Sequence, residues 1–560
     1  MKLRYTHTRL LVLLNFALIV ASCGGGGGSG NAPVTPPKPP PAPPNQFADI
    51  TLSSGISFSV EYSLNPGDLR DVTHFAGGVA SGDYDNDGDV DLFVLRGDSG
   101  PNLLYRNDGN NVFSEVAATA GLAFTKSAVE NFRHSGPAFA DMDGDGDLDL
   151  FLGGVQSDPS LIFANNGNGT FTDVTTGSGL DIMGATQTVS AAFGDYDLDG
   201  DIDLFLAHWG VQRSETDPGD TEHLWRNEST AAQIRFVSVS EAAGISPSII
   251  TLPDPEVLID DIDYSFAPTF VHLNGDRYPD IILSADVNSS MVFMNNTDGT
   301  FTNATDVDVI LDANGMGSAV GDYDNDGDND WFVTSIYRNS DPLVKNGNRL
   351  YRNDNGVFVD VTDTAGVADG GWGWAACMAD LDNDGNLDLY HTNGWPFTMI
   401  GDYTSDSSRA FMSNGDGTFT NRANEMGLAD KSQGRGAVCA DFDRDGDLDI
   451  FLWGNEGPNS GILFRNDVSG SNYLTVKLRG LPPNTAASGA RIRATVGGVT
   501  QQRELSIGSN YISQGPMEQH FGLGNAPQVD SLVVEWPDGK KSDLAIVQAN
   551  QRITVDHPDL

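Results

Sequence analysis

A chain of 560 residues has room for several domains or one large repeat array, and 39% apolar content with 65 glycines fits a turn-rich β protein, not a disordered acidic tail. The formal charge of −47, from 78 acidic against 31 basic residues, argues against nucleic acid as a partner and against direct docking on anionic lipid.

Residues 1–22 read as a signal peptide: Lys2 and Arg4 make a basic start, and the apolar stretch from Leu10 to Val20 is too short to span a bilayer comfortably. Val20-Ala21-Ser22-Cys23 resembles a bacterial lipobox, which makes Cys23 the expected lipidated residue and an ordinary cleaved signal the alternative. Residues 23–45 hold a glycine run and then a Pro-rich stretch that cannot build a core, so they are expected to act as an extended tether. Export and anchoring at the outer membrane or cell surface are the expected localisation, with membrane contact through the lipid alone.

From residue 46 two elements alternate. The first begins with Phe47-Ala48-Asp49-Ile50-Thr51 and returns at Phe113, Phe171, Phe236, Phe301, Phe358 and Phe419, with the period-two pattern of a strand that buries one face. The second is Asp83-Tyr84-Asp85-Asn86-Asp87-Gly88-Asp89-Val90-Asp91, followed at once by an apolar run. Oxygen donors at alternate positions, with a bend-permitting Gly sixth, are what a calcium ion with six to eight oxygen ligands requires. Val94 occupies the twelfth position, where an EF-hand would carry Glu, so this loop joins strands.

The expected calcium ligands of the first loop are Asp83, Asp85, Asp87, Asp89 and Asp91, with position seven, here Asp89, ligating through its main-chain carbonyl as in each later loop. The second loop offers Asp141, Asp143, Asp145, Asp147 and Asp149, and the third Asp195, Asp197, Asp199, Asp201 and Asp203. Asp322, Asp324, Asp326, Asp328 and Asp330 form the next intact loop, and Asp380, Asp382, Asp384, Asn386 and Asp388 the one after it. Asp441, Asp443, Asp445, Asp447 and Asp449 complete the series. Between the third and fifth lies a decayed copy, residues 272–280, with His272 first and Arg277 where Gly belongs. Asn274, Asp276 and Asp280 there are expected to bind weakly or not at all.

Each loop is entered by one strand and followed by two more before the Phe strand, giving four strands per unit and seven units. The last loop lacks a Phe strand of its own, while the first Phe strand precedes the first loop. The N-terminal strand is therefore expected to complete the last unit and close a ring. The predicted fold is all-β: a seven-bladed β-propeller over residues 46–469. Residues 246–266 read as an inserted loop, with another metal site at Asp260, Asp261 and Asp263 a weak alternative, and residues 208–222 as a second expanded loop.

Residues 470–560 carry alternating strands and the turns Gly497-Gly498 and Pro537-Asp538-Gly539, so a small β-sandwich-like domain is predicted there. Gly489-Ala490-Arg491, Gly508-Ser509-Asn510-Tyr511-Ile512-Ser513-Gln514, His520-Phe521-Gly522-Leu523-Gly524 and Trp536-Pro537-Asp538-Gly539 resemble the ASPIC/UnbV domain. The loops before it resemble FG-GAP/VCBS-type repeats of integrin alpha chains, and the whole is similar to the cartilage acidic protein family and its bacterial relatives. That resemblance implies calcium binding and extracellular recognition or adhesion, with no agreed reaction. One departure is that blade one carries Arg96-Gly97-Asp98 where an integrin-type repeat ends in Gly-Ala-Pro; it reads as a chance turn in preference to an integrin-ligand mimic.

His208, Trp209, His391, Trp395 and Trp453, with Asn455 and Glu456, follow the second strands of their blades. They would line a carbohydrate or protein site on the face opposite the calcium loops, or simply pack in the core. Cys377 and Cys439, just before neighbouring loops, are expected as buried free thiols, with pairing in an oxidising envelope the alternative. No Gly-x-Ser-x-Gly elbow, His-Glu-x-x-His or phosphate-cradling loop occurs. The expected function is membrane-tethered recognition of a glycan or protein at the envelope, the alternative a polysaccharide lyase-like enzyme on the same scaffold.

Overall fold

The computed structural model describes residues 46–560 apart from 62–71, 75, 129, 185–186, 213–221, 252–261, 339–345, 397–400, 455–456, 469 and 509. The signal peptide, Cys23, the tether, Asp260, Asp261, Asn455 and Glu456 lie outside the described residues. The described residues among 46–468 build seven antiparallel units of four strands, the blades, each made of consecutive strands except the last. Blade one runs through Val79–Gly82, Asp91–Val94, Leu103–Asn107 and Phe113–Glu115, and the metal loop connects its first two strands.

The innermost strands of blades two to seven are His134–Ala140, Thr188–Gly194, Ile262–Val271, Ser318–Gly321, Gly373–Ala379 and Gly434–Ala440. Each touches the next in chain order, and Gly434–Ala440 touches Val79–Gly82, so the array is a closed ring. Closure runs through the N-terminal strand as the offset of the repeats required. Phe47–Asp49 pairs with Gly461–Asn466 of blade seven, in the register Phe47↔Asn466, Ala48↔Arg465 and Asp49↔Phe464.

The Phe element is shorter than its period-two pattern implies. It is a three-residue strand followed by a single helical turn, as in Phe47–Asp49 and Thr51–Ser54. Asp49 ends the strand by accepting both the N–H and the hydroxyl of Thr51 at 3.0 and 2.6 Å, which turns the chain. Gly55 then ends the turn at φ 89°, where a Cβ would stand 2.6 Å from the Phe113 carbonyl oxygen.

Residues 208–212, expected in a loop, instead extend the second strand of blade three, Asp203–Gln212. Its end pairs with the first strand of blade four at Trp209↔Tyr264 and Gln212↔Ile262, fusing the two blades into one eight-stranded sheet. The expected insert before blade four carries a helix, Ile245–Thr251, and the start of the strand Ile262–Val271.

The C-terminal domain has two main sheets. Asn472–Arg479 is the centre of one, between Glu518–Gly524 and Gln551–Asp556; the other runs Val499–Glu504, Arg491–Val496, Ser531–Glu535 and Lys541–Leu544. Their inner faces share a core of Leu474, Val476, Ile492, Phe521, Leu532 and Val534, continuous with Phe151 and Phe193 of blades two and three. A further strand, Ser513–Gln514, leaves this domain and pairs in parallel with the innermost strand of blade one.

Candidate metal centres and a capped axis

The metal loops share one hydrogen-bond plan. The position-one carboxylate accepts the N–H of the sixth residue, as Asp83 does from Gly88 at 3.1 Å and Asp441 from Gly446 at 3.0 Å. Gly88 holds φ 95° and Gly446 the same, a backbone state that excludes most side chains and explains the Gly at that position. Both oxygens of the ninth residue are used: Asp91 accepts from the N–H of Tyr84 at 3.1 Å and of Asn107 at 2.8 Å, tying the loop to the third strand.

Carboxylate oxygens of Asp83, Asp85 and Asp91 lie within 4.8 Å of one another, as do those of Asp141, Asp143 and Asp149, of Asp322, Asp324 and Asp330, and of Asp380, Asp382 and Asp388. In the third loop the converging set is Asp195, Asp197 and Asp199. Ligands on opposite sides of a calcium ion at 2.3–2.6 Å are separated by about this span. Buried Asp85 Oδ1, Asp195 Oδ1 and Asp382 Oδ1 have no hydrogen-bond donor. The residues therefore fit a hard divalent cation. Burial pushes the carboxyl of Asp141 up to about 6 and those of Asp195, Asp322 and Asp441 up to about 7, so assembling these charges in the protein is costly without a counter-charge.

At position seven, where the main-chain carbonyl is the expected ligand, three carboxylates link neighbouring loops: Asp89 pairs with Arg444 at 2.7 Å, Asp147 accepts from Asn86 at 2.7 Å, and Asp447 from Asn383 at 2.8 Å. Position-five Asp145, Asp326, Asp384 and Asp445 each accept the N–H two residues on. In the decayed loop Asn274, Asp276 and Asp280 also bond main-chain N–H groups, while His272 Nδ1 faces Glu504 Oε1 at 2.8 Å and Nε2 faces the Arg277 carbonyl at 3.0 Å.

The C-terminal domain covers this loop face, a relationship with no signal in local sequence pattern. Lys477 Nζ pairs with Asp83 at 2.9 Å, Thr485 bonds Asp141, Glu504 accepts from Asn329 at 2.6 Å, and His520 Nε2 meets Asn383 at 2.6 Å. Its residues 507–508 and 510–514 then enter the ring. Main-chain or side-chain groups of Ile507, Asn510, Ile512, Ser513 and Gln514 bond the innermost strands of blades one, two, three, six and seven: Phe193 N to Ile507 O at 2.9 Å, Ala376 N to Asn510 Oδ1 at 3.0 Å, Val79 N to Ile512 O at 3.1 Å, Ala437 N to Ser513 Oγ at 3.1 Å and Phe139 N to Gln514 Oε1 at 2.6 Å. Tyr511, fully buried, stacks on Trp374 at 5.3 Å, and Arg435 lies 4.4 Å above the same ring.

The expected ligand-lining side chains belong to this interior. His208, Trp209, His391, Trp395 and Trp453 are each at most 3% exposed, so they line no surface. Strand alternation and ring packing hold them: Trp209 stacks on Phe266, Trp395 on Trp372, and Trp453 donates to the Leu95 carbonyl at 2.9 Å. Cys377 and Cys439 form a disulfide between the innermost strands of blades six and seven, correcting the expectation of free thiols. Ring packing brings their Cα atoms to 6.4 Å, within bridging reach. In the turn of blade one, Asp98 is paired with Arg133 at 3.1 Å.

Fold and loops together define a β-propeller of FG-GAP type with a C-terminal cap. The FG-GAP-like repeat family matches residues 83–152, 141–206, 272–333, 336–391 and 397–452, and the ASPIC and UnbV family matches 480–560. The chain belongs to the family that combines FG-GAP repeats with an ASPIC/UnbV domain. It is 24% identical over 503 residues to human cartilage acidic protein 1, covering 86% of this chain and 70% of the relative. The Xenopus tropicalis protein of that name is 24% identical over 512 residues, covering 86% and 72%. Among solved structures, the V. cholerae biofilm matrix protein Bap1 aligns with TM-score 0.31 and 12% identity over 87% of this chain and 60% of its own. YCF48 from Cyanidioschyzon merolae gives 0.37 and 11% over 70% and 95%.

Proposed function

We propose that the protein is a calcium-binding, membrane-tethered recognition or adhesion protein of the cell envelope that carries out no reaction itself. The observation that carries this reading is the filled axis. A propeller's central channel is its natural concave site, and here Tyr511, Ile512 and Gln514 occupy it, bonded to the ring on several sides. What remains for a partner is blade edges, loops and the seam beneath the cap, which suits a macromolecular or glycan partner better than a small substrate held for chemistry. Kinship with cartilage acidic protein 1 supports an extracellular setting. The Asp triads supply the calcium sites, and their part is to hold the loops and the cap in register.

The test is binding of the purified chain to a glycan array and to envelope proteins, with calcium and with chelator, followed by assays of each glycan hit for chain cleavage. Calcium-dependent binding without cleavage is the expected result. Cleavage of a bound polysaccharide would make the protein an envelope carbohydrate-active enzyme instead. Loss of membrane association in Cys23→Ala tests the tether.

A further inference from the structure

The decayed fourth loop and the third loop meet the C-terminal domain around a cavity of about 370 Å³, a size typical of small-ligand sites. One wall carries Asp195 and Asp199, two of the three converging carboxylates of the third loop. Asp195 is 4% exposed, and its Oδ1 has no hydrogen-bond donor. A second wall carries Arg277, standing where the other loops have Gly. Among the described residues no carboxylate pairs with it, although acidic residues outnumber basic ones by 78 to 31. The rest of the lining comes from the cap: Pro482, Pro483 and Asn484, and the Trp536-Pro537-Asp538 turn with His557. Trp536 and His557 pack edge to face at 5.0 Å, and Asp538 is already engaged by His557 at 3.2 Å and Lys540 at 3.4 Å.

An unpaired guanidinium favours a carboxylate, which it can hold through two parallel N–H bonds. Pro482, Pro483 and Pro537, the last held by the buried Trp536, offer an apolar wall facing the polar loop, a combination that suits the mixed faces of a sugar ring. Asp195 and Asp199 would repel an anion unless their charge is compensated, and the third loop fits a divalent ion that would do so. Position six of the fourth loop has thus lost its turn-forming Gly and presents a cation to the neighbouring site.

We propose that this cavity binds a carboxylate-bearing sugar unit, with Arg277 as the anion anchor and Asp195 and Asp199 neutralised by the ion of the third loop. The proposal rests on the calcium-dependent recognition reading and names one ligand class and one place for it. The experiment is calorimetry of the full chain with galacturonate and glucuronate oligomers, with their neutral galactose and glucose counterparts as controls, in calcium and in chelator. A parallel calcium titration is made on the wild type and on Arg277→Ala and Arg277→Glu. The expected result is binding of the acidic oligomers alone, lost in chelator and weakened at least tenfold by either substitution, with calcium stoichiometry unchanged. Arg277 is exposed, and the unchanged calcium titration serves as the folding control. Equal binding by Arg277→Ala, equal binding of neutral oligomers, or no binding of the acidic ones would overturn the proposal. In each of those cases the calcium titration and the array hits judge the broader reading separately.

Discussion

The side-chain amide of Asn107 donates to the main-chain carbonyl of Phe442 at 2.8 Å, a bond that crosses from blade one to blade seven. The same nitrogen reaches Val90 O of its own loop at 3.2 Å. Each equivalent Asn repeats the reach to the preceding blade: Asn165 to Tyr84, Asn227 to Met142, Asn295 to Tyr196, Asn353 to Leu273 and Asn466 to Leu381, all at 2.8–2.9 Å. Blade six has Ser413 in that place, too short for the span. Beside these bonds the second loop residue packs on the Phe of the next blade, as Tyr84 does on Phe171 at 6.0 Å and Phe442 on Phe113 at 5.9 Å.

Asn107→Ala is therefore expected to destabilise the ring. It leaves two buried carbonyls without a donor, each costing about 1–3 kcal/mol, whereas Ser413→Ala removes no link between blades. Denaturant unfolding of both variants against the wild type measures the difference. Equal, small losses for the two would show that the asparagines are not the fasteners of the ring.

Much of this architecture is written in local spacing. The Asp loops, the seven Phe strands and the offset between them specify blade number and the closing strand, because each repeat must bury the same face against the same neighbour. Other features depend on residues far apart in the chain. Trp209, His391 and Trp453 look like strand-end aromatics, and nothing nearby in sequence reveals their partners: Trp209 stacks on Phe266, which meets Tyr511 edge to face at 5.3 Å, His391 lies beside Phe332 and Phe411, and Trp453 reaches the Leu95 carbonyl. The spacing of the loops likewise gives no sign that the Asp89 carboxylate is drawn to Arg444 of the last blade. The sequence leaves the disulfide as the second choice for the same reason: residues 377 and 439 are adjacent only once the inner strands pack side by side.

The metal-free protein should lose stability as pH rises. The folded-state carboxyl of Asp141 lies at about 6, those of Asp195, Asp322 and Asp441 at about 7, and that of Asp447 at about 8, because burial and neighbouring carboxylates disfavour the anion. Unfolded, these groups titrate near 3.9. The native state thus binds more protons between pH 4 and 8, so this contribution is present in full at the acid end and is lost towards pH 8. Calcium binds the anionic form and should reverse the trend. Melting temperatures in chelator and in calcium across pH 5–8 decide it; a metal-free protein that gains stability with pH in that window contradicts the assignment.

Reducing the Cys377–Cys439 bridge should weaken the ring without opening it. The bridge spans 62 residues, for which chain entropy predicts a stabilisation of up to about 4 kcal/mol. The reductant effect on thermal unfolding should vanish in a Cys377→Ser, Cys439→Ser double variant. An effect that persists there arises elsewhere.

Docking of the cap should depend on Gln514. Its amide gives Phe139 both a donor, at 2.7 Å to the carbonyl, and an acceptor, at 2.6 Å to the N–H. Gln514→Ala would strand both main-chain groups in a buried site, costing about 1–3 kcal/mol each, while Tyr511→Ala would open a cavity beside Trp374 worth about 3–5 kcal/mol. Because Lys477, Thr485 and His520 of the cap rest on loops one, two and six, either variant should also weaken calcium binding, and chelator should raise hydrogen exchange across residues 510–514. Coupling of free energies between two sites is reciprocal, so both effects are required. Faster exchange at 510–514 in chelator with calcium affinity unaltered in Gln514→Ala would mean that the cap senses the loops without supporting them, and the shared loop face would then be a contact of convenience.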